Sequence, residues 1–357
     1  MSELYTASRL RVWNQCKRAH FYRYALRIMT HATAAMAFGT GIHKALEQWY
    51  LAWKAGEDRV GAALATIDEL DVSEVDRARM RVLVVAYDAR WGSEDWEILA
   101  VEVEFRYFLG DIEIGGKIDA LIRDRRDGKC YVVEHKTSTA DTSAGALYWD
   151  RLAIDTQVSI YVDGAAFGLD VEVAGCVYDV LKRPMHDPKL ATPIEIRKYT
   201  QGKGCKICGG NLQGKQGSGV VGDHPCSICK GGGWRLDADG KPEAPRLHAN
   251  QRDTDETIEE FIDRVADEVA ERSDDFLARS IVVRLDNEFP RMRQDLIDTV
   301  ESMRALDERR LAPPSYDACV RGREACSYFA ACTGRASIND ESLFPRGEAH
   351  PEIASAA

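Results

Sequence analysis

The stretch at 111–138, DIEIGGKIDALIRDRRDGKCYVVEHKTS, decides how the rest of the chain is read. Two runs rich in Ile, Leu, Val and Tyr flank Asp127-Gly128, a turn signal, so a β-hairpin is expected. Residues two apart share a face of a strand, so Glu134 and Lys136 point the same way. With the turn near 127–128, pairing Asp119 with Glu134 or with Lys136 keeps the same parity. Either register puts Asp119, Glu134 and Lys136 on one face of the sheet. Two carboxylates and an ammonium then meet where a half-buried strand normally presents apolar groups, which is costly unless a cation or a substrate compensates.

Paired carboxylates without cysteines suit a hard, oxygen-liganded ion, Mg²⁺ or Mn²⁺. Such an ion polarises a phosphate and acidifies a bound water, and the neighbouring lysine can hold that water or stabilise developing charge. A cross-strand salt bridge in a hairpin leaves the same pattern.

Outward from the hairpin, FGTGIHKALEQWYLAWKAG at 38–56 has apolar residues at helical spacing and ends on a glycine. Helices are expected over 6–30, 38–55, 60–94, 151–168 and about 288–309, and strands at 97–109, 172–183 and 280–285. Ile258, Phe261, Ile262, Val265 and Val269 form a helical stripe whose charged flanks face solvent. Glu102 and Glu104, in VEVEF, lie on the strand ahead of the hairpin; either could serve as an extra active-site carboxylate, and both are expected on the solvent face.

The net charge is −11, which at first disfavours a polyanionic partner. Residues 253–275 alone, however, hold eleven acids and two bases, so the remainder is nearly neutral. Residues 1–31 carry Arg9, Arg11, Lys17, Arg18, Arg23 and Arg27 against Glu3, interleaved with Tyr5, Trp13, Phe21, Tyr22 and Tyr24. That mixture suits a phosphate backbone with stackable bases, and equally a solvated amphipathic helix. No apolar run approaches the ~20 residues that cross a bilayer, and the N-terminus lacks the apolar core of a secretory signal. A cytoplasmic protein without a membrane partner is expected, in a bacterial or phage-infected cell.

Ten cysteines in such a chain read as metal or redox sites before disulfides. Cys205-Lys-Ile-Cys208 and Cys226-Ser-Ile-Cys229 are separated by 17 residues, the spacing of a four-thiolate zinc site. Glycines follow each pair, and residues 201–234 hold 11 glycines and few large apolar groups, so metal must replace a core. Over some 30 residues this stretch is similar to the zinc repeats of DnaJ-type chaperones. Cys130 and Cys176 lie in strand-like runs as plain thiols.

In order along the chain, GTGIH (39–43), GKIDAL (116–121), VVEHKTS (132–138) and QVSIY (157–161) resemble the motifs of the PD-(D/E)XK nuclease superfamily. The likeness is specifically to its RecB-like exonuclease branch, which includes AddB and the CRISPR-associated RecB-like exonucleases. The resemblance implies His43, Asp119 and Glu134 as metal ligands and Lys136 as the catalytic lysine. Gln157 and Tyr161, one helical turn apart, are implied to touch the bound strand or the lysine. Left to itself, His43 reads as a partner of Glu47 one turn on. SRLRVWNQCKRAHFYRY (8–24) is similar to the branch's N-terminal segment. That likeness implies a 4Fe-4S cluster on Cys16, Cys319, Cys326 and Cys332, with the departure that the late cysteines are spaced C-x6-C-x5-C instead of C-x2-C-x5-C. A second zinc would use the same ligands.

The expectation is therefore an α/β protein with a mixed central sheet flanked by helices, a restriction-endonuclease-like core, and a small zinc-ribbon-like insertion. Its parts are 1–200 as nuclease core with an N-terminal helical segment, 201–235 as zinc insertion, 236–335 as the remainder with the cysteine cluster, and 336–357 as a flexible tail. The implied activity is Mg²⁺- or Mn²⁺-dependent hydrolysis of DNA, exonucleolytic on single-stranded ends, in recombination, repair or phage DNA processing. A CRISPR-adaptation nuclease and a non-catalytic nucleic-acid-binding factor are the alternatives.

Overall fold

The computed structural model describes residues 3–193, 203–211, 215–242, 247, 251–308, 312–321, 324–350 and 353. The chain divides into two compact units, Met1–Pro184 with Val265–Ala357, and Met185–Arg264.

The first unit is built on a six-stranded mixed sheet. Its strands are β1 (Leu4–Tyr5), β2 (Trp96–Leu109), β3 (Ile112–Asp124), β4 (Cys130–Ser138), β5 (Cys176–Lys182) and β6 (Leu277–Val282). β3 runs antiparallel to β2 and β4 and parallel to β1; β5 is parallel to β4 and antiparallel to β6. The β3–β4 hairpin turns at Gly128, whose φ of +71° is the left-handed conformation that glycine adopts without penalty. Its register, Ala120 opposite Val133, puts Asp119 opposite Glu134 one step on.

One edge of β3 is shared. β1 pairs with Glu113 and Ile114, β4 with Ala120 to Arg123, and the residues between take neither as a ladder partner. The sheet is open at this point, and Asp119 lies on the border of the opening.

Helices cover both faces. They are α1 (Ala7–Gln15), α2 (Ala34–Ala55), α3 (Arg59–Asp68), α4 (Glu74–Trp91), α5 (Thr156–Asp163), α6 (Ile258–Glu271) and α7 (Phe289–Glu308). On one face Trp49 and Tyr50 of α2 and Tyr87 of α4 bury fully against one another and against His135 of β4. On the other, Leu10 and Trp13 of α1, Val158, Ile160 and Tyr161 of α5, and Leu296, Val300 and Met303 of α7 pack with Val132, Cys176, Tyr178 and Val180 of the sheet. Arg284, itself buried, fixes α5 by donating to Ser159 Oγ at 3.0 Å and to the carbonyls of Leu152 and Asp155. In α6, Phe261, Val265 and Val269 are buried while Ile258 and Ile262 are half-buried.

Three expectations need correction. The helical run at 60–94 is two helices, because the Ser73 hydroxyl accepts from Asp76 N–H and starts α4 afresh. The N-terminal helix breaks at Cys16, whose backbone is extended. And the segment from 336, expected to be a flexible tail, is anchored at Phe344, Pro345 and Gly347. Met29 N–H donates to Pro345 O at 2.7 Å, Gly347 N–H to Arg27 O at 3.0 Å, and Phe344 is buried beside Ile28 and Tyr328.

In the second unit the Cys205 and Cys226 pairs each form a tight turn, and a short hairpin (Val220–Val221 with His224–Pro225) lies between them. An Arg264–Glu256 pair, with both hydrogen bonds at 2.7 Å, ties its two ends of chain together, since Glu256 also accepts from Lys189 N–H.

The Tyr328 hydroxyl donates to Ile28 O at 2.6 Å across 300 residues of sequence. Tyr328→Phe removes this buried bond and should cost about 1–2 kcal/mol. The expected result is a lower thermal midpoint and lost hydrogen-exchange protection at the Met29 and Gly347 amides, with the sheet amides unchanged.

Candidate active site

α2 starts on Thr33, whose side chain accepts from Met36 N–H, and runs over the open end of the sheet. Gly39 allows the approach: a Cβ there would stand 3.0 Å from Thr137 Oγ1, just past Lys136 on β4. One turn later, His43 points its ring at Asp119, with Nδ1 3.4 Å from Oδ1. The other carboxylate oxygen accepts the His135 backbone N–H at 2.7 Å and lies 3.3 Å from that residue's Nδ1.

Asp119 sits at a break in the strand's phase. Ile118 and Leu121, three apart, both pack in the same core cluster, which strict alternation forbids. The partner strand breaks at the same level: the β2–β3 pairing runs from Val103–Ile118 to Val101–Ala120 and skips Glu102 and Asp119. Glu102 has φ +47°, left-handed backbone that a side-chain-bearing residue rarely adopts. The kink turns its carboxylate away from the solvent face expected for it. Glu102, His43 and Asp119 each offer a ligand atom, all within 4.8 Å of one another. Glu102 also pairs with Lys117. Glu104, two residues on, is exposed as expected.

Glu134 and Lys136 project to the α5 face. Glu134 is 1% exposed; its Oε1 accepts from Lys136 Nζ and, at 2.9 Å, from Gln157 Nε2. Gln157 Nε2 also lies 2.9 Å from Tyr161 Oη, so the i,i+4 pair forms one contact chain ending on Glu134. Asp155 caps α5 by accepting from the N–H groups of Gln157 and Val158, which fixes the helix start that presents this pair. Gly116 leaves room for the arrangement, since a Cβ there would meet the Phe105 ring at 2.6 Å and Tyr161 at 3.2 Å. Glu134 Oε2 is buried with no hydrogen-bond partner among the described residues.

The result is a cleft of about 630 Å³ whose lining includes His43, Glu102, Lys117, Asp119, Lys136 and Tyr161. Glu134 and Gln157 are not on its wall; they stand behind Lys136 and hold it. Burial works against charge on Asp119, but His43 and His135 outweigh it and keep the carboxyl well below the usual range. Burial also opposes charge on His43, and Asp119 overrides it, raising the imidazole. For Glu134 burial dominates: despite Lys136, its carboxyl is pushed up to about 7. Burial disfavours charge on Lys136 too, but the neighbouring Glu134 and Asp119 hold its ammonium above the ordinary value.

Two residues reach this site against the sequence pattern. Glu102 fails the alternation rule because of the kink. His135 was passed over as the middle residue of the E-x-K pattern, yet it connects Asp119 to a buried polar chain. Its Nε2 lies 3.2 Å from Tyr87 Oη, Tyr87 donates to Asp179 at 2.7 Å, and Arg279 grips Asp179 through two bonds of 2.6 and 2.7 Å.

The basic and aromatic N-terminal segment is partly interior. Tyr5, Trp13 and Tyr24 are buried, and Arg9 is used up on Leu4 O, His20 and Glu3. Those rings are not available for stacking. Arg11, exposed like Arg27, lines with Asn14, Arg151 and Gln157 a second cavity of about 540 Å³ that shares Ala7 with the cleft.

The cysteines gather in two places. Cys205, Cys208, Cys226 and Cys229 are buried with sulfurs within 4.8 Å of one another, Cys205–Cys226 at 3.8 Å and Cys208–Cys229 at 3.7 Å. Four sulfurs at ~2.3 Å around one tetrahedral zinc lie ~3.8 Å apart, so the donor set fits that ion. Cys16, at the end of α1, accepts weakly from Ser315 N–H, 3.5 Å away, and Cys319, Cys326 and Cys16 all act on the Cys332 thiol, whose pKa burial raises. Among the described residues this second set is looser than the first.

Because the Glu134 carboxyl titrates higher folded than unfolded, its ionisation opposes folding. Stability of the metal-free protein should fall, relative to Glu134→Gln, as pH rises from 4.5 through 7. The difference should reach on the order of 3–4 kcal/mol, at ~1.4 kcal/mol per pKa unit, read from denaturant titrations in EDTA.

No curated protein matches the chain. Among solved structures, one titled "Crystal structure of SSO0001" is similar at 16% identity and a TM-score of 0.20, covering 40% of this chain and 60% of that one. The match therefore spans less than two thirds of that protein's length. The family model of the PD-(D/E)XK nuclease superfamily matches residues 5–333, a span that includes β2 to β6 and both groups of cysteines. This chain belongs to the PD-(D/E)XK nuclease superfamily.

Proposed function

We propose that the protein is a divalent-metal-dependent deoxyribonuclease that degrades single-stranded DNA from its ends. The observation that carries the reading is the orphaned Glu134 Oε2, buried behind Lys136 at the same strand end as His43 and Asp119. A buried carboxylate oxygen without a donor is costly, and a cation satisfies it. The donor set of two carboxylates and one imidazole fits Mg²⁺ or Mn²⁺, held by His43, Asp119 and Glu134. When bound, the ion supplies Lewis acidity and acidifies water.

The chain's own residues do the rest. Asp119, kept ionised by His43 and His135, presents the oxygen that faces His43, because the other is held by the His135 amide. Lys136, kept ammonium by Glu134 and Asp119, hydrogen-bonds the attacking water and the non-bridging oxygens as charge grows on them. Gln157 and Tyr161 fix Glu134 and so the lysine. Both cavities have the volume of small-molecule sites, room for a nucleotide or two of a single strand. Arg11 and Arg151 supply cations for phosphates beyond the scissile one.

We further assign zinc to Cys205, Cys208, Cys226 and Cys229, and a 4Fe-4S cluster to Cys16, Cys319, Cys326 and Cys332. Anaerobically purified protein should be brown and carry one zinc and four irons per chain. Cys226→Ser should remove the zinc alone and Cys16→Ala the colour alone, by metal analysis and visible absorption. A colourless protein with two zinc ions rejects the iron assignment.

Asp119→Ala should abolish cleavage of an end-labelled single strand while affinity for it holds or rises, since a negative charge near the phosphates is gone. Lys136→Ala should also abolish turnover but leave metal binding nearly intact, and His43→Ala should fall between. If Asp119→Ala and Lys136→Ala both cut at the wild-type rate, the cluster is a structural ion pair and the protein is a binding factor.

A further inference from the structure

We propose that Glu102 is a ligand of the divalent ion alongside His43 and Asp119, and that Lys117 is the cation it exchanges for that ion. The inference rests on the nuclease reading and adds to its ligand set a residue that no part of the E-x-K pattern contains. His43, Glu102 and Asp119 bring one imidazole nitrogen and two carboxylate oxygens within 4.8 Å of one another, on the wall of the cleft. Oxygens at ~2.1 Å from Mg²⁺ lie up to ~4.2 Å apart, so the trio needs to close by only a fraction of an ångström. Glu134, in contrast, is off the cleft wall with Oε1 already taken.

The backbone supports the same reading. A glutamate with φ +47° inside a 14-residue strand is strained, and strain of this kind persists where the surroundings hold a functional group in place. Here it puts a second carboxylate beside Asp119, two like charges at one point of the cleft. Such a pair calls for a cation between its members. Without a divalent ion, the Lys117 ammonium serves one side: it pairs with Glu102, its side chain is 32% exposed, and it lines the same cleft. A divalent ion draws Glu102 away and leaves the lysine free to swing into the cleft.

The test is Mn²⁺ binding to the full-length protein without DNA, read from loss of the free-ion electron paramagnetic resonance signal. Glu102→Gln should weaken binding at least 10-fold. Lys117→Met should tighten it several-fold, because the competing ammonium is gone, and should have no effect in a Glu102→Gln background. Glu104→Gln, on the exposed side of the same strand, should bind as wild type. If the wild type binds Mn²⁺ and cuts DNA while Glu102→Gln binds equally well, the proposal fails and the nuclease reading stands. If the wild type binds no Mn²⁺, both fail. Should Glu102→Gln not fold, Lys117→Met decides alone, and weaker binding there overturns the proposal.

Discussion

An ionised carboxylate with 12% of its side chain exposed is the constraint around which this molecule is arranged. Asp119 keeps its charge because two imidazoles and one amide face it, and each comes from a different structural decision. His43 arrives because α2 crosses the sheet at Gly39. The His135 amide is free to donate because β4 and β3 part company at that step. The His135 ring is held by Tyr87, which is held by Asp179, which is clamped by Arg279 from β6. The polar chain thus runs from the cleft to the far edge of the sheet through residues with almost no access to water. In a low-dielectric interior a fully satisfied chain of this kind is stiff, and a partly satisfied one is destabilising.

The sheet's topology makes the site possible. Because β1 and β4 occupy different ends of one edge of β3, the strand has a gap between them. A gap in a ladder frees backbone groups and lets side chains from both faces reach one point. His43 comes from the α2 face, Lys136 and Tyr161 from the α5 face, and they meet only there. In a continuous sheet the same side chains would be separated by a layer of backbone.

Much of this was legible in sequence, for identifiable reasons. The hairpin at 111–138 announced itself through its turn and its apolar runs, and its register followed from the position of that turn. Alternation put Glu134 and Lys136 on a common face, and four-residue spacing put Gln157 beside Tyr161. What escaped reading was whatever breaks a period. Alternation sent Glu102 to solvent, and a left-handed residue in mid-strand reversed it. The aromatics of the first thirty residues looked available for stacking, but nothing local says that Tyr5, Trp13 and Tyr24 are covered by tertiary packing. The segment from 336 looked frayed because its anchors, Arg27, Ile28 and Met29, are remote in sequence, and no local pattern reports a partner so far away.

That last arrangement has a consequence for how the chain is made. Ile28 is bonded to Tyr328 and bridged to Arg346, and Cys16 rests on Ser315. Contacts separated by some 300 residues close late, because the chain entropy lost in forming so large a loop is repaid only at the end. On a ribosome, the turns after α1 must wait, uncovered, until nearly all of the chain has emerged. Their aromatic and basic side chains are exposed during that interval, available to chaperones. An intermediate stalled there would already hold the N-terminal wall of the cleft, since Thr6, Ala7 and Ser8 follow β1, which pairs with β3. The last contacts to form therefore close the segment after α1 and leave the cleft as it was.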